Sequence, residues 1–472
     1  MEHNLPPEVW RLVFDVADPG ALLAASTTSR FFHASSIDAL IRRIVWRGRE
    51  RALQHLSALW TRFPHKGRHV RSLTLYCTPP LHGMANDNEI HRDILKKITL
   101  FRLGLTHLTL SGVVLHGEFF GLLDTLARLR ELNLRQCVVP PPPATLCTPP
   151  PLQHLSLVHL DAQVGAEHVY SPYFIHLFPN IPMLSFDRTL FFGEPIPHAE
   201  RASPTRLTIA GVGDHHNSEM YTHILAHTNI SLRKLTHLRV LVSMDNFPPY
   251  YEHMPVTVPI PSGELDSLHS LMAPLNMILR LAAACTGLVR VTVQGPLCGT
   301  YLAFRLVDRL VQHNHPVAEL AFTLVTWDGS IFPYICEHFP DLESLEVLFL
   351  EGEVTPEFLA VLGKHIAALP RLRSLYLHNF PDGWYDCFPW RRIPKPTLKR
   401  TIKSSTIDEL SRFSSSLMLT KLDTATWVRA DVHSEWLTSK DEMGGEWSSS
   451  RSLDEHMRLD YDPRLYIRPC YY

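Results

Sequence analysis

Residues 105–134, LTHLTLSGVVLHGEFFGLLDTLARLRELNL, carry one pattern twice: Leu105-x-x-Leu108-x-Leu110 and, 24 residues on, Leu129-x-x-Leu132-x-Leu134. The last two leucines of each set stand two residues apart, so both point to one face of a short strand, and the first turns inward just before it. The pattern recurs on both sides of this stretch. It precedes it as Val70-Leu73-Leu75 and follows as Leu152-Leu155-Leu157, Ile181-Leu184-Phe186, the weaker Leu207-Ile209, and Leu235-Leu238-Val240. Later copies are Leu288-Val291-Val293, Val317-Leu320-Phe322, Leu342-Leu345-Val347 and Leu372-Leu375-Leu377. The eleven sets are mostly 23 to 35 residues apart, with one interval of 53 after the Leu235 set. A period in this range marks a solenoid of stacked units, each too small to bury its own apolar face.

Helical stretches lie between the predicted strands. Residues 301–313 place Leu302, Leu306, Val307, Leu310 and Val311 on one side. Thr355-Pro356-Glu357 reads as a capped helix start with proline at the first helical position, and Leu359, Leu362 and Ile366 face inward behind it. Pro150, Pro179, Pro340 and Pro370 each stand two residues before the first apolar residue of a set. A proline there ends the helix and hands the chain to the strand. The recurring unit of helix, proline and strand resembles the leucine-rich repeat. That resemblance implies an α/β fold: an irregular solenoid with parallel strands on the concave side and helices outside. The Asn or Cys usual after the second leucine pair is mostly missing, and Cys137 after Leu134 is a partial match.

The N-terminal stretch 5–46, LPPEVWRLVFDVADPGALLAASTTSRFFHASSIDALIRRIVW, reads as three short helices. Pro6 and Pro7 set the first start, and Val9, Leu12, Val13 and Val16 repeat with helical spacing, with Trp10, Phe14 and Ala17 on an adjoining face. A helix apolar on so much of its circumference must be buried on more than one side. Asp18-Pro19 starts a second helix with Leu22 and Leu23. Ser29 caps a third, predicted to carry Ala34, Ile37, Ile41, Ile44 and Val45. The run Leu5-Pro6-x-Glu8-Val9, Phe14, Asp18-Pro19-x-x-Leu22-Leu23 and Ser29-Arg30-Phe31-Phe32 resembles the F-box, in the form common in mushroom-forming fungi. Ala17 departs from it where F-box sequences often carry a larger apolar residue. The resemblance implies docking onto a Skp-type adaptor of a cullin-RING ubiquitin ligase. The adaptor contact would then fall on Leu5, Pro6, Val9, Trp10, Leu12, Val13, Leu22 and Leu23, with Phe14 a further candidate. Periodicity leaves open which apolar face of the first helix meets the adaptor. A non-ligase leucine-rich-repeat scaffold, with the helices only a cap, is the competing reading.

Composition narrows the class. A chain of 472 residues, 45% hydrophobic and 19% charged, with net charge −2, fits a folded protein and gives no sign of nucleic-acid or membrane-surface binding. The eight cysteines are scattered without a C-x-x-C pair, which fits a reducing compartment, and no apolar run is long enough to span a membrane. The N-terminus lacks the apolar core of a secretory signal, so a cytoplasmic or nuclear location is expected. No nucleotide-binding, nucleophile-elbow or zinc-protease motif occurs. Asp214-His215-His216 is too short a run to hold a metal. A non-enzyme without cofactors or metals is expected.

The expected organisation is a helical unit at 1–48, a linker helix at 49–69, a solenoid at 70–430 and an acidic tail at 431–472. Residues 431–462 hold nine Asp or Glu against three Lys or Arg. Proline-rich loops are expected at 138–151 and 242–267, and a basic loop at 391–403 that doubles as a candidate import signal. The residues between inward strand positions are the candidate client surface: His107, Thr109, Glu131, Asn133, His154, Ser156, Glu343, Glu346, Ser374 and Tyr376. On this register Leu108, Leu110, Leu375 and Leu377 are core, while Thr109 and Tyr376 face out.

Overall fold

The computed structural model describes residues 6–17, 19–60, 62–78, 85–140, 143, 148–158, 160–162, 175–187, 201–212, 230–242, 260, 263–379, 407, 410, 412–422, 425–429, 434 and 436–439. The chain divides near Leu207 into two compact units.

The first unit opens with helices α1 (Pro7–Val16), α2 (Pro19–Ser26) and α3 (Arg30–Arg42). Pro7 occupies the first helical position of α1, where no backbone donor is lost. Ser29 caps α3 by accepting from the Phe32 amide at 3.1 Å. The helix ends earlier than predicted. Residues 43–47 form strand β1 (Arg43–Arg47), which runs parallel to β2 (Ser72–Tyr76). Ile44 and Trp46 therefore belong to the solenoid as a further copy of the apolar pattern, and Ile44 and Val45 are strand residues where helical spacing predicted helix. The linker helix α4 (Arg49–His55) continues into a wider turn at Leu56–Trp60 and a tight one at Pro64–His69.

Strand and helix then alternate as far as β4: α5 (Ala85–Ile98), β3 (His107–Ser111), α6 (Glu118–Thr125) and β4 (Glu131–Arg135). A short β5 (Val138–Val139), β6 (His154–Val158), a short β7 (Asp161–Ala162) and β8 (Met183–Asp187) follow, and β9 (Arg206–Val212) starts at the end of this unit and runs past Leu207. β1, β2, β3, β4, β6 and β8 are successive parallel neighbours. Register aligns Leu73, Leu108, Leu132, Leu155 and Leu184 in one row and Trp46, Leu75, Leu110, Leu134, Leu157 and Phe186 in the next, all buried. Each such side chain contributes about 1.5–3 kcal/mol by leaving water. Cys137 serves as the partial match implied: its thiol donates to the Leu110 carbonyl of the preceding repeat at 3.4 Å, and burial pushes it up to about 12. The start of the expected proline-rich loop is structured, because β5 pairs with β7.

The second unit carries β10 (His237–Val242), β11 (Ser270–Ala273), α7 (Leu275–Leu281), β12 (Arg290–Leu297), α8 (Thr300–Gln312), β13 (Glu319–Thr326), α9 (Ile331–His338), β14 (Ser344–Glu351), α10 (Pro356–Ile366), β15 (Ser374–Asn379) and β16 (Leu419–Leu422). β10 to β16 are parallel neighbours in that order. Thr355 caps α10 as read from sequence, accepting from the Phe358 amide at 3.2 Å, and Leu362 and Ile366 are buried. In α8, Leu306, Val307 and Leu310 are buried. β12 slips register between Thr292 and Pro296, where Gly295 takes φ +88°, a bulge only glycine enters without strain.

β11 lies inside the interval of 53 residues, and Leu265, Leu268, Leu271 and Ala273 are buried around it. This repeat escapes the leucine pattern because alanine holds its last position, and its approach overlaps the expected loop 242–267. β16 is another such repeat, with Leu417, Thr420 and Leu422 buried in the pattern places. β17 (Ala425–Val428) and β18 (Leu437–Ser439) then add antiparallel. Arg429 fastens this end by donating to the carbonyls of Leu417 at 2.5 Å and Ser415 at 2.9 Å. The start of the expected acidic tail thus belongs to a strand. The His215-His216 pair, the basic run 391–403 and the tail beyond Ser439 lie outside the described residues. Among the described residues no helix is long and apolar enough to cross a membrane.

Candidate partner-binding surfaces

α1 has two apolar sides, and the structure separates them. Trp10 and Phe14 face α3: the Trp10 ring meets Phe32 edge-on at 4.7 Å, and Phe14 meets the same ring at 5.8 Å. Phe14 and Leu22 are buried, and Trp10 is half-buried. The other side of α1 faces solvent, with Val9 37%, Leu12 68% and Val13 40% exposed. Leu23 on α2 and Phe31 at the start of α3 are also exposed, at 61% and 45%. Of the residues predicted for an adaptor, Pro6, Val9, Leu12, Val13 and Leu23 are therefore at the surface. Leu22 is core, the Trp10 ring is engaged with Phe32, and Leu5 lies outside the described residues. The aromatic ring of Phe32, two-thirds of the way along this unit, decides which face is inward; spacing within α1 alone does not contain it.

The second surface is the face of the sheet opposite the leucine rows. In the first unit, register aligns Arg43, Ser72, His107, Glu131, His154 and Met183, and beside them Val45, Thr74, Thr109, Asn133, Ser156 and Ser185. Neighbouring strands are linked along these rows. His107 Nε2 stands 3.3 Å from Glu131 Oε1, Asn133 Nδ2 donates to Thr109 Oγ1 at 3.4 Å, and His154 Nε2 lies 3.2 Å from Ser185 Oγ. His107, Thr109, Glu131, Asn133 and His154 are all half-buried, as expected of a polar row open on one side, whereas Ser156 is buried.

In the second unit the corresponding rows run through Arg290, Glu319, Ser344 and Ser374, and through Thr292, Ala321, Glu346 and Tyr376. Arg290 holds Glu319 with two bonds of 2.5 Å, a bidentate fork. His378 Nε2 stands 3.8 Å from Glu346 Oε1. Two predicted client residues need correcting. Glu343 lies one residue before β14, and Ser344 takes the register place of His107 and Glu131. Tyr376 is on the predicted row but only 4% exposed, so its ring is core-like and not part of an open surface. Alternation fixes which face a side chain takes, and burial of that face depends on what else covers it.

No family model matches the chain, and no curated protein matches it by sequence. Among solved structures it is similar to a chain of the crystal structure of the Rad7 and Elc1 complex in yeast, with a TM-score of 0.29 at 12% identity, over 72% of this chain and 88% of that one. A likeness this distant leaves the function to be argued from the chain's own residues.

Proposed function

We propose that this chain is the client-holding subunit of a ubiquitin ligase of the Skp–cullin–F-box kind. In this reading α1 and α2 dock a Skp-type adaptor through Val9, Leu12, Val13 and Leu23, with Pro6 at the edge, and the solenoid holds a client. The observation that carries it is the second apolar side of α1. Trp10 and Phe14 already satisfy the helix against Phe32, yet Leu12 remains 68% exposed with a valine on either side in helical spacing. A solenoid cap turns a polar face outward. A second apolar side left at the surface among the described residues suits a partner.

The chain itself performs no chemistry in this account. Its contribution is effective concentration: one end binds the adaptor, the other a client, and the transfer of ubiquitin becomes a local event in the cytosol or nucleus. The polar rows around His107, Glu131, Asn133 and Glu346 supply directional hydrogen-bonding groups for a client, held in place by the cross-strand pairs. Co-expression of the full chain with a Skp-type adaptor tests the assignment. Stoichiometric copurification is expected, and an adaptor that never accompanies the folded chain would refute it.

A further inference from the structure

The turns that enter β2, β3 and β4 carry a concentration of arginine that neither surface above uses. Arg68 and Arg71 precede β2, Arg102 precedes β3, and Arg128 and Arg130 precede β4, and all five are exposed. Residues 62–71, 99–106 and 126–130 contain no Asp or Glu, in a chain whose net charge is −2. The fold puts these turns side by side. The Thr106 amide donates to the Arg71 carbonyl at 2.8 Å, and the Arg130 amide donates to the Thr106 carbonyl at 2.7 Å. Gly104 packs so tightly against the Arg68 carbonyl that no Cβ fits, and Arg71 Nη1 donates to the Gly104 carbonyl at 3.0 Å. The rim is therefore a fixed row and not a set of independent loops.

Among the described residues none of these five arginines has a carboxylate partner. The second unit differs at the same kind of turn. There Arg233 pairs with Glu264 at 3.0 Å, and Arg371 pairs with Asp341 at 3.3 Å. Lys66 in the first turn has Asp38 at 3.8 Å, but among the described residues the five arginines have no such neighbour; like charges gathered in this way repel one another, and the row is relieved when it meets an anionic surface. Leu103, 63% exposed, stands beside Arg102 in the middle turn.

We propose that this rim docks an Asp/Glu-rich extended segment of a partner protein, with Leu103 receiving one of that segment's apolar side chains. The guanidinium fork matches a carboxylate with two parallel bonds, which a lysine cannot do. Single-stranded nucleic acid would call for a series of aromatic stacking platforms along the basic row, and the rim exposes one phenylalanine, Phe63, at its first turn, with a leucine at the turn centred on Arg102. An anionic bilayer would call for a continuous apolar face, and Phe63 and Leu103 are two single side chains on separate turns. The proposal is independent of the adaptor reading, which concerns α1 and α2.

The test is fluorescence anisotropy of the full chain with a labelled peptide of alternating Asp and Glu around one leucine. Parallel arms use a single-stranded oligonucleotide and phosphatidylserine vesicles. Binding of the peptide is expected, weakening as salt is added. Arg102→Glu with Arg130→Glu should weaken it at least about tenfold, since two exposed pairs are lost and replaced by repulsion. Arg371→Glu in the second unit should leave it unchanged. Circular dichroism of the double variant verifies folding, and Leu103→Ser provides a milder change expected to lower affinity without altering the charge. No peptide binding by the unmodified chain, equal binding by the double variant, or tighter binding to the oligonucleotide or the vesicles would each overturn the proposal.

Discussion

His315 Nε2 donates to the Ala282 carbonyl at 2.9 Å, tying the turn before β13 to the end of α7 one repeat earlier. With that nitrogen protonated, Nδ1 is left to accept from the Leu288 amide at 3.4 Å, so the ring is neutral and fills both places. Burial, first, and the neighbouring His313 push its pKa below the ordinary 6.5, against the opposing pull of the Ala282 carbonyl. The unfolded chain then binds a proton that the folded one refuses, so this histidine's contribution is complete above pH 6.5 and declines as pH falls from there through the lowered folded pKa. Urea midpoints measured from pH 7.5 down to pH 5 should show the native chain losing stability more steeply than His315→Gln. Parallel curves would contradict the assignment.

Gly104 is required by contact. A Cβ there would meet the backbone carbonyls of Arg68 and Val70, neither of which is a flexible side-chain end. Gly104→Ala should cost about 1–3 kcal/mol as an overpacked site, despite alanine's lower chain entropy when unfolded. Gly117→Ala, where nothing lies within 4 Å, is the control, and thermal melting of the two variants separates them.

Leu375 stands in the register row between Leu345 and Thr420 and is fully buried. Leu375→Ala should lose about 2–5 kcal/mol in chemical denaturation, and a loss under about 0.5 kcal/mol would be incompatible with the row. Thr109→Ala, on the opposite face beside Asn133, should cost far less.

The repeat was legible in the sequence wherever leucine, isoleucine or valine filled its places. Leu108, Leu110, Leu375 and Leu377 are buried, and Thr109 is half-open, as alternation requires. Three strands of the parallel repeat, β1, β11 and β16, were hidden for separate reasons. Ile44 and Val45 also fit a helical period, because they continue Ile37 and Ile41. Ala273 is too small to register as a pattern residue, and Thr420 is polar yet fully buried. The exposed face of α1 was not legible, because it depends on Phe32 arriving from another helix. The burial of Tyr376 was missed for a similar reason: strand alternation gives direction and says nothing of cover.

If the polar rows read a client, reversing Glu131 and Glu346 should reduce client capture while adaptor binding is retained. Both carboxylates face a histidine across the strand, His107 and His378, so Glu→Lys there removes an acceptor and adds repulsion when the imidazole is charged. Crosslinking with mass spectrometry maps the contact. Crosslinks confined to the helices α8, α9 and α10 would exclude the rows as the client surface.

The account depends most on the outward side of α1. Its direct measurement is a binding isotherm between a Skp-type adaptor and three forms of the full chain: unmodified, Val9→Asp with Leu12→Asp, and Thr109→Ala. Two carboxylates forced into an apolar contact should lower affinity by more than about a hundredfold, while the circular dichroism spectrum of the double variant matches the unmodified chain, because both positions face solvent in the free protein. Thr109→Ala should bind as the unmodified chain does. Full affinity in the folded Val9→Asp, Leu12→Asp variant would contradict the account.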